Sequence, residues 1–200
     1  MACTVSAIRN PRDAIRTGLG ISLVPEDRQA EGVLNGFSGV ANTTLPSLRR
    51  FSRLGFVSPR RERAATRELF AQLNIAPTAL DKDITELSGG NQQKIIMAKW
   101  VMADTGIILL YDPTRGIDVN TKDEIYALAR ALAAKGKAIL WYSTDVDEVL
   151  DVCDRCLVMY RGVVRDDVRG ERFTKRTILA SMLGQSPDRT GTGPALEARA

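Results

Sequence analysis

The chain contains no histidine. Imidazole is the commonest metal ligand and the side chain that changes charge nearest neutral pH, so any site in this chain works without it. Cysteine is scarce: three among 200 residues do not make a disulfide framework. Cys153-Asp154-Arg155-Cys156 has the spacing of a redox pair or half a zinc site. No second C-x-x-C exists, and Cys3 alone cannot complete four ligands. Cys156 also opens the apolar run 156–160, where a thiol packs as a small hydrophobe, so the pair reads as structural and no metal site is expected. Aromatics are few, at 6%. Arg49, Arg50, Arg53, Arg60, Arg61 and Arg63 cluster without interleaved aromatic residues. They therefore offer no stacking platform for nucleic acid and read as a solvated surface. No apolar run approaches the roughly 20 residues that span a bilayer, so a membrane link would go through a partner. MACTVSAIRNPRDAIRTG at the start has no continuous apolar segment; no secretory signal is expected, and the expected setting is cytoplasmic.

With 44% hydrophobic residues, 26% charged residues and a net charge of +4, the composition is that of a globular chain of one domain with room for a subdomain. Residues 20–24 read as a buried strand stopped by Pro25, followed by a polar loop to about Gly39. The stretch 40–103 is helical in pattern. Ser58-Pro59 is a helix start, with serine as cap and proline at the first helical position; Ala65, Leu69 and Leu73 share a face, with Phe70 beside them. Residues 107–110 form an apolar run expected to be a strand covered on both faces. A helix over 120–134 is capped by the box Thr121-x-x-Glu124, carries Ile125, Leu128, Ala129 and Leu132, and ends at Gly136. Residues 138–142 give another strand, and 146–152 a short helix. A strand at 157–160 turns through Arg161-Gly162 into 163–165, and a last helix spans 174–183. Residues 185–200 read as a disordered tail. Alternating strands and helices predict an α/β fold with a mainly parallel sheet, split by an inserted α-helical subdomain.

The chemistry concentrates in Leu87-Ser88-Gly89-Gly90-Asn91-Gln92-Gln93-Lys94, which opens a helix. Ser88 can cap that helix, and the two glycines leave backbone N–H groups open to close approach. A helix N-terminus with bare N–H groups and a positive dipole end suits phosphate. Further patterns are Val24-Pro25-Glu26-Asp27-Arg28 with Glu31-Gly32, Asp112-Pro113-Thr114-Arg115-Gly116-Ile117-Asp118-Val119, and Asp154-Arg155.

On these residues the chain resembles the second nucleotide-binding domain of the ATPase subunit of bacterial ABC importers for simple sugars, over about residues 11–184. The resemblance implies a partial ABC-type P-loop NTPase domain. A RecA-like α/β core would occupy residues 1–37 and 106–170, a helical signature subdomain 38–105, and a C-terminal helix with tail 171–200. It implies ATP and Mg2+ as cofactors, both bound mainly by a partner domain. Implied partners are another nucleotide-binding domain, transmembrane permease subunits and, indirectly, a periplasmic sugar-binding protein, but no nucleic acid. The implied place is the inner face of the plasma membrane. The subdomain 38–105 resembles the part that docks the permease's coupling helix.

Departures from the family pattern sharpen the reading. No G-x-x-x-x-G-K-[ST] loop occurs, so the chain is expected to begin after it. The family's Asp-Glu pair, for magnesium and the attacking water, aligns with Tyr111-Asp112; Asp112 thus takes the position of the catalytic glutamate. The switch histidine aligns with Thr144 or Asp145, and the Q-loop glutamine with Glu26. The resemblance therefore implies action in trans. Ser88, Gly89, Gly90, Asn91 and Gln92 would bind the γ-phosphate held by a partner's phosphate loop, and Asp118, matching the D-loop, would help set the interface. Asp118 reads equally as a capping aspartate, Arg115 as an interface ion pair or a solvated cation, and Glu26 as a nucleotide sensor or a surface carboxylate. The alternative function is a non-catalytic regulatory or orphan interaction module.

Overall fold

A computed structural model describes Asn10 and residues 20–185. The tail expected over 185–200 lies, apart from Gln185, outside the described residues. The chain divides into two compact units, residues 1–143 and 144–200. That division falls inside the 106–170 stretch which the resemblance assigns to the core.

In the first unit β1 (Ile21–Val24) leads through a π-helical turn (Arg28–Gly32) to α1 (Gly39–Thr44), a 3-10 turn (Leu45–Ser47) and α2 (Leu48–Phe51). A small hairpin, β2 (Ser52–Arg53) and β3 (Phe56–Val57), precedes α3 (Pro59–Gln72). Two 3-10 turns, Pro77–Leu80 and Ile84–Glu86, lead to α4 (Gly89–Ala103); β4 (Ile107–Tyr111), α5 (Val119–Ala134) and β5 (Ala138–Tyr142) follow.

The sheet runs β1-β4-β5 with both pairings parallel, Val24 opposite Leu110 and Leu110 opposite Trp141. Parallel neighbours need long crossovers, which the helical insertion and α5 supply. Ser22, Val24, Ile108, Leu110 and Trp141 are buried. On the opposite face Leu23 is 47% exposed, Leu140 59%, Tyr111 42% and Tyr142 47%. The double cover expected of 107–110 is thus not present among the described residues. Ile108 and Leu110 are buried while Ile107 and Leu109 are half-buried, because side chains alternate along a strand and only one face is packed.

Two helix starts differ in mechanism from the sequence expectation. Ser58 does precede Pro59 at the start of α3, but its hydroxyl makes no capping bond. Its amide instead donates to the Phe51 carbonyl at 3.0 Å, tying α3 to the end of α2. In α5 the cap is Asp118 rather than the Thr121 box: its carboxylate accepts from the Thr121 amide at 3.0 Å and the Thr121 hydroxyl at 2.8 Å. An N-cap carboxylate reaches the third helical amide without help from a reciprocal glutamate. The buried face of α3 includes Thr66, whose hydroxyl is satisfied by the Glu62 carbonyl at 2.9 Å. The helical core also contains Phe70, Leu80, Ile84, Ile95, Ile96 and Met97. Gly136, at φ +85°, ends α5 in the left-handed region as its position predicts.

In the second unit α6 (Val146–Val152) precedes β6 (Arg155–Tyr160), which pairs antiparallel with β7 (Val163–Arg169); a 3-10 turn (Gly170–Arg172) and α7 (Lys175–Met182) complete it. Arg161 at φ 49° and Gly162 at φ 81° both take the positive values that a tight two-residue hairpin requires. Val158, Val168 and Ile178 form the core, with Cys156 packed against it. Cys153 and Cys156 carry free thiols. Burial pushes the Cys153 thiol up to about 11 and the Cys156 thiol upward as well.

Candidate functional site: the amino end of the signature helix

The 15-residue helix α4 begins at Gly89. The Ser88 hydroxyl accepts from the Asn91 amide at 3.4 Å, and the Ser88 carbonyl accepts from the Gln92 amide at 2.9 Å. Gly89 and Gly90 lie in the first turn, whose N–H groups have no acceptor within the helix. Ser88 is exposed, and because its oxygen accepts from Asn91, its hydrogen stays available to an outside acceptor. Asn91 is half-buried. Gln92 is turned inward: it is 3% exposed, its amide donates to the carbonyls of Ile84 at 3.0 Å and Leu87 at 3.1 Å, and its oxygen accepts from Gln29 at 2.6 Å. Its side chain holds the loop that delivers Ser88.

Each signature glycine is in close contact with another segment. A Cβ on Gly89 would lie 2.8 Å from the Arg28 guanidinium, and one on Gly90 would lie 2.8 Å from the Thr121 hydroxyl. Arg28 Nη1 also donates to the Arg115 carbonyl at 3.1 Å, and the Arg115 guanidinium forms an ion pair with Glu26. The segments after β1, after β4 and before α4 therefore meet at one place. Glu26, Arg115, Asp118 and the signature turn are all assembled there. Asp118 is exposed, and the Thr121 amide and hydroxyl hold its carboxyl below the usual range.

At the end of β4 the ring of Tyr111 stacks on that of Tyr142, with centroids 4.5 Å apart and 4° between the planes. The neighbouring Tyr142 is the main cause that raises the Tyr111 phenol. Asp112 is 7% exposed and has φ 42°, in the left-handed region that a non-glycine residue seldom occupies. Its amide donates to the Tyr142 carbonyl at 2.9 Å, and its carbonyl accepts from the Arg115 amide at 3.1 Å. Among the described residues no group of three His, Cys, Asp or Glu side chains that could hold a metal ion gathers. Thr144 and Asp145 lie in the second unit, where Asp145 caps α6 by accepting from the Asp147 amide at 3.0 Å.

Sequence reasoning missed Thr121 as a signature contact and Asn42 as a loop anchor. Asn42 is fully buried and accepts from the Leu34 amide at 2.7 Å. It also donates to the carbonyls of Leu34 at 3.1 Å and of Phe37 and Ser38 at 3.2 Å.

No protein-family model matches the chain. It is 44% identical over 183 residues to the ribose import ATP-binding protein RbsA of Chelativorans sp. (strain BNC1), covering 92% of this chain and 36% of that protein. To the arabinose import ATP-binding protein AraG of Rhizobium etli it is 40% identical over 186 residues, again covering 92% and 36%. The chain thus spans about a third of the length of the curated relatives it matches. Among solved structures, the ATP-binding cassette MJ1267 of an ABC transporter superposes with a TM-score of 0.69 at 17% identity, over 88% of this chain and 71% of that one. The cassette MJ0796 bound to ADP and Pi, in a dimeric post-hydrolysis state, gives 0.63 at 21% identity, over 74% and 62%. The fold is that of ABC ATPase cassettes, and along about nine tenths of its length the chain is homologous to a part of the ATP-binding proteins of sugar ABC importers.

Proposed function

We propose that the chain acts as part of the ATP-hydrolysing subunit of a carbohydrate ABC importer and supplies its signature turn to ATP held by another nucleotide-binding domain. The single observation that carries this reading is the amino end of α4, where an exposed Ser88 hydroxyl and the first-turn amides of Gly89 and Gly90 converge. Such a cluster of donors matches a terminal phosphate. Ser88 would donate to a γ-phosphate oxygen, Gly89 and Gly90 would offer their amides, and Asn91 would border the same turn. Gln92 would keep the loop in place from beneath, and Asp118 would set the facing turn. Glu26 would sense nucleotide through its ion pair with Arg115. Thr144 and Asp145 would stand at the switch position. ATP and Mg2+ would be held by the partner's phosphate loop; bound there, they supply the phosphoanhydride and its charge neutralisation.

The partners would be a nucleotide-binding domain that carries a phosphate loop, and permease subunits on the cytoplasmic face of the membrane, fed by a sugar-binding protein. No described helix is long and apolar enough to cross a membrane. The residue range 38–105 would contact the permease.

The test mixes the full chain with an ABC ATPase domain that has an intact phosphate loop and its own signature serine replaced. Turnover of MgATP should depend on adding the chain, and Ser88→Arg should abolish the dependence. The chain alone should show no MgATP hydrolysis above background; turnover that Asp112→Ala removes would overturn the trans reading. The stacked Tyr111 and Tyr142, at the position where the resemblance expects carboxylate chemistry, favour a second reading, a regulatory module that pairs with an intact ATPase. Under that reading the chain would change the partner's ATP turnover equally with or without the Ser88→Arg substitution.

A further inference from the structure

The resemblance assigns no role to Arg28, yet it touches all three segments of the candidate site. It opens the turn after β1, where the Asp27 carboxylate accepts the amides of Gln29 and Ala30 at 3.0 Å and so fixes the start of the side chain. From there the guanidinium reaches the Arg115 carbonyl at 3.1 Å. It also lies across Gly89: a Cβ at that residue would meet Nη2 at 2.8 Å, Cζ at 3.3 Å and Nε at 3.6 Å. Only glycine leaves room for a planar group to lie this close to the first turn of α4.

Two features of this placement oppose folding stability. A cation beside a helix N-terminus faces the positive end of the macrodipole. The Arg28 Nε is also buried without a hydrogen-bond partner. A side chain that breaks two local rules at one spot is better accounted for by the geometry it imposes than by the energy it contributes. That geometry concerns two turns far apart in sequence, the signature turn 88–90 and the turn 112–118. On the far side Gly90 abuts Thr121, whose hydroxyl is bound to Asp118 at 2.8 Å. The amino end of α4 is thus gripped from both sides, by Arg28 and by the cap of α5.

We propose that Arg28 is a positioning residue that sets the signature turn against the turn 112–118, so that the Ser88 hydroxyl and the Gly89 and Gly90 amides reach a phosphate together. This rests on the reading that these groups complete an ATP site on another domain. Donors to a transferring phosphoryl group act through placement, and Arg28 touches no nucleotide itself. Its loss therefore alters turnover and leaves alone the affinity that the partner's phosphate loop sets.

The experiment uses the full chain with the phosphate-loop partner described above, and MgATP as the probe. Arg28→Met keeps the length of the side chain and removes its donors. It should lower kcat about tenfold or more, since small misplacements of positioned groups have large effects, with KM for ATP unchanged within about twofold. Arg28→Lys, which can still reach the Arg115 carbonyl but cannot lie flat across Gly89, should restore kcat in part. Wild-type kcat in Arg28→Met, in a mixture where Ser88→Arg abolishes turnover, overturns the positioning role and leaves the functional reading standing. If Ser88→Arg leaves turnover intact, the functional reading itself fails. Should Arg28→Met unfold, Arg28→Lys carries the test by circular dichroism and kinetics. Lowered kcat with an unchanged melting temperature supports the proposal, and kcat that falls only in step with the folded fraction overturns it.

Discussion

Asn42 and Leu34 exchange two hydrogen bonds: the Leu34 amide donates to the Asn42 side chain at 2.7 Å, and the Asn42 amide group donates back to the Leu34 carbonyl at 3.1 Å. One buried side chain thereby serves as the missing backbone partner for a loop with no ladder of its own. Asn42→Ala would leave the Leu34 amide without this acceptor, while the carbonyls of Leu34, Phe37 and Ser38 keep the backbone amides of Phe37, Ile84 and residue 42 as donors. One orphaned donor costs about 1–3 kcal/mol, less where water enters, so a loss of about 2 kcal/mol is expected in urea unfolding. A loss under about 1 kcal/mol would mean that water already satisfies the loop.

Gly39 and Gly32 are both buried, yet they should respond to very different extents to an added methyl group. A Cβ on Gly39 would run into the Ala79 carbonyl oxygen, which belongs to backbone and cannot step aside. Gly39→Ala should destabilise by about 2–3 kcal/mol through overpacking. A Cβ on Gly32 would lie 2.7 Å from Ile96 Cδ1, the free end of a side chain that can rotate. Gly32→Ala should stay within about 1 kcal/mol of the parent. Paired denaturation curves check the contrast.

The Asp118 carboxylate caps α5, and its acidity is held below the usual range by the Thr121 amide and hydroxyl. A lowered acid contributes stability above its ordinary value and loses that contribution as pH falls through its value in the folded state. Asp118→Ala should therefore melt below the parent at pH 7. The gap should narrow below about pH 4 as the parent's own carboxylate takes up a proton. A gap independent of pH would assign the effect to packing.

The Cys153 thiol, pushed up to about 11 by burial, should be a poor nucleophile. At pH 8 its alkylation by iodoacetamide should be roughly a hundredfold slower than that of a free thiol, because only the thiolate reacts. Burial favours the neutral form, so its contribution to stability is complete below the ordinary value of 9.0 and fades as pH rises toward about 11. Fast modification at pH 8 in the folded chain would restore the redox reading of Cys153 and Cys156.

Most element positions were legible because they depend on neighbours in sequence. The strands near 20–24, 107–110 and 138–142 stand out as apolar runs between breakers, and the hairpin at Arg161-Gly162 shows in its turn residues. Ser88 as the cap of α4 follows from its place before two glycines and a helical pattern. Of the two readings offered for the start of α5, Asp118 is the cap and the Thr121 box is not used, Thr121 lying at the third helical position with its amide and hydroxyl donating to Asp118. The cover of 107–110 is one-sided among the described residues: an apolar run records what a strand can bury, whereas the packing of each face depends on which elements come to lie against it.

The sequence by itself determined the likeness to the ATP-binding proteins of sugar ABC importers, the order of the main strands and helices, and the helix start that presents Ser88, Gly89 and Gly90. Those are properties of local spacing and of short motifs. The tertiary structure alone decided that Arg28 lies over Gly89, that Thr121 abuts Gly90, that Glu26 pairs with Arg115, and that Gln92 points inward. Apart from the inward turn of Gln92, these are contacts between residues tens of positions apart. They arise because parallel strands bring the turns after β1 and β4 to the same end of the sheet, where the amino end of α4 meets them.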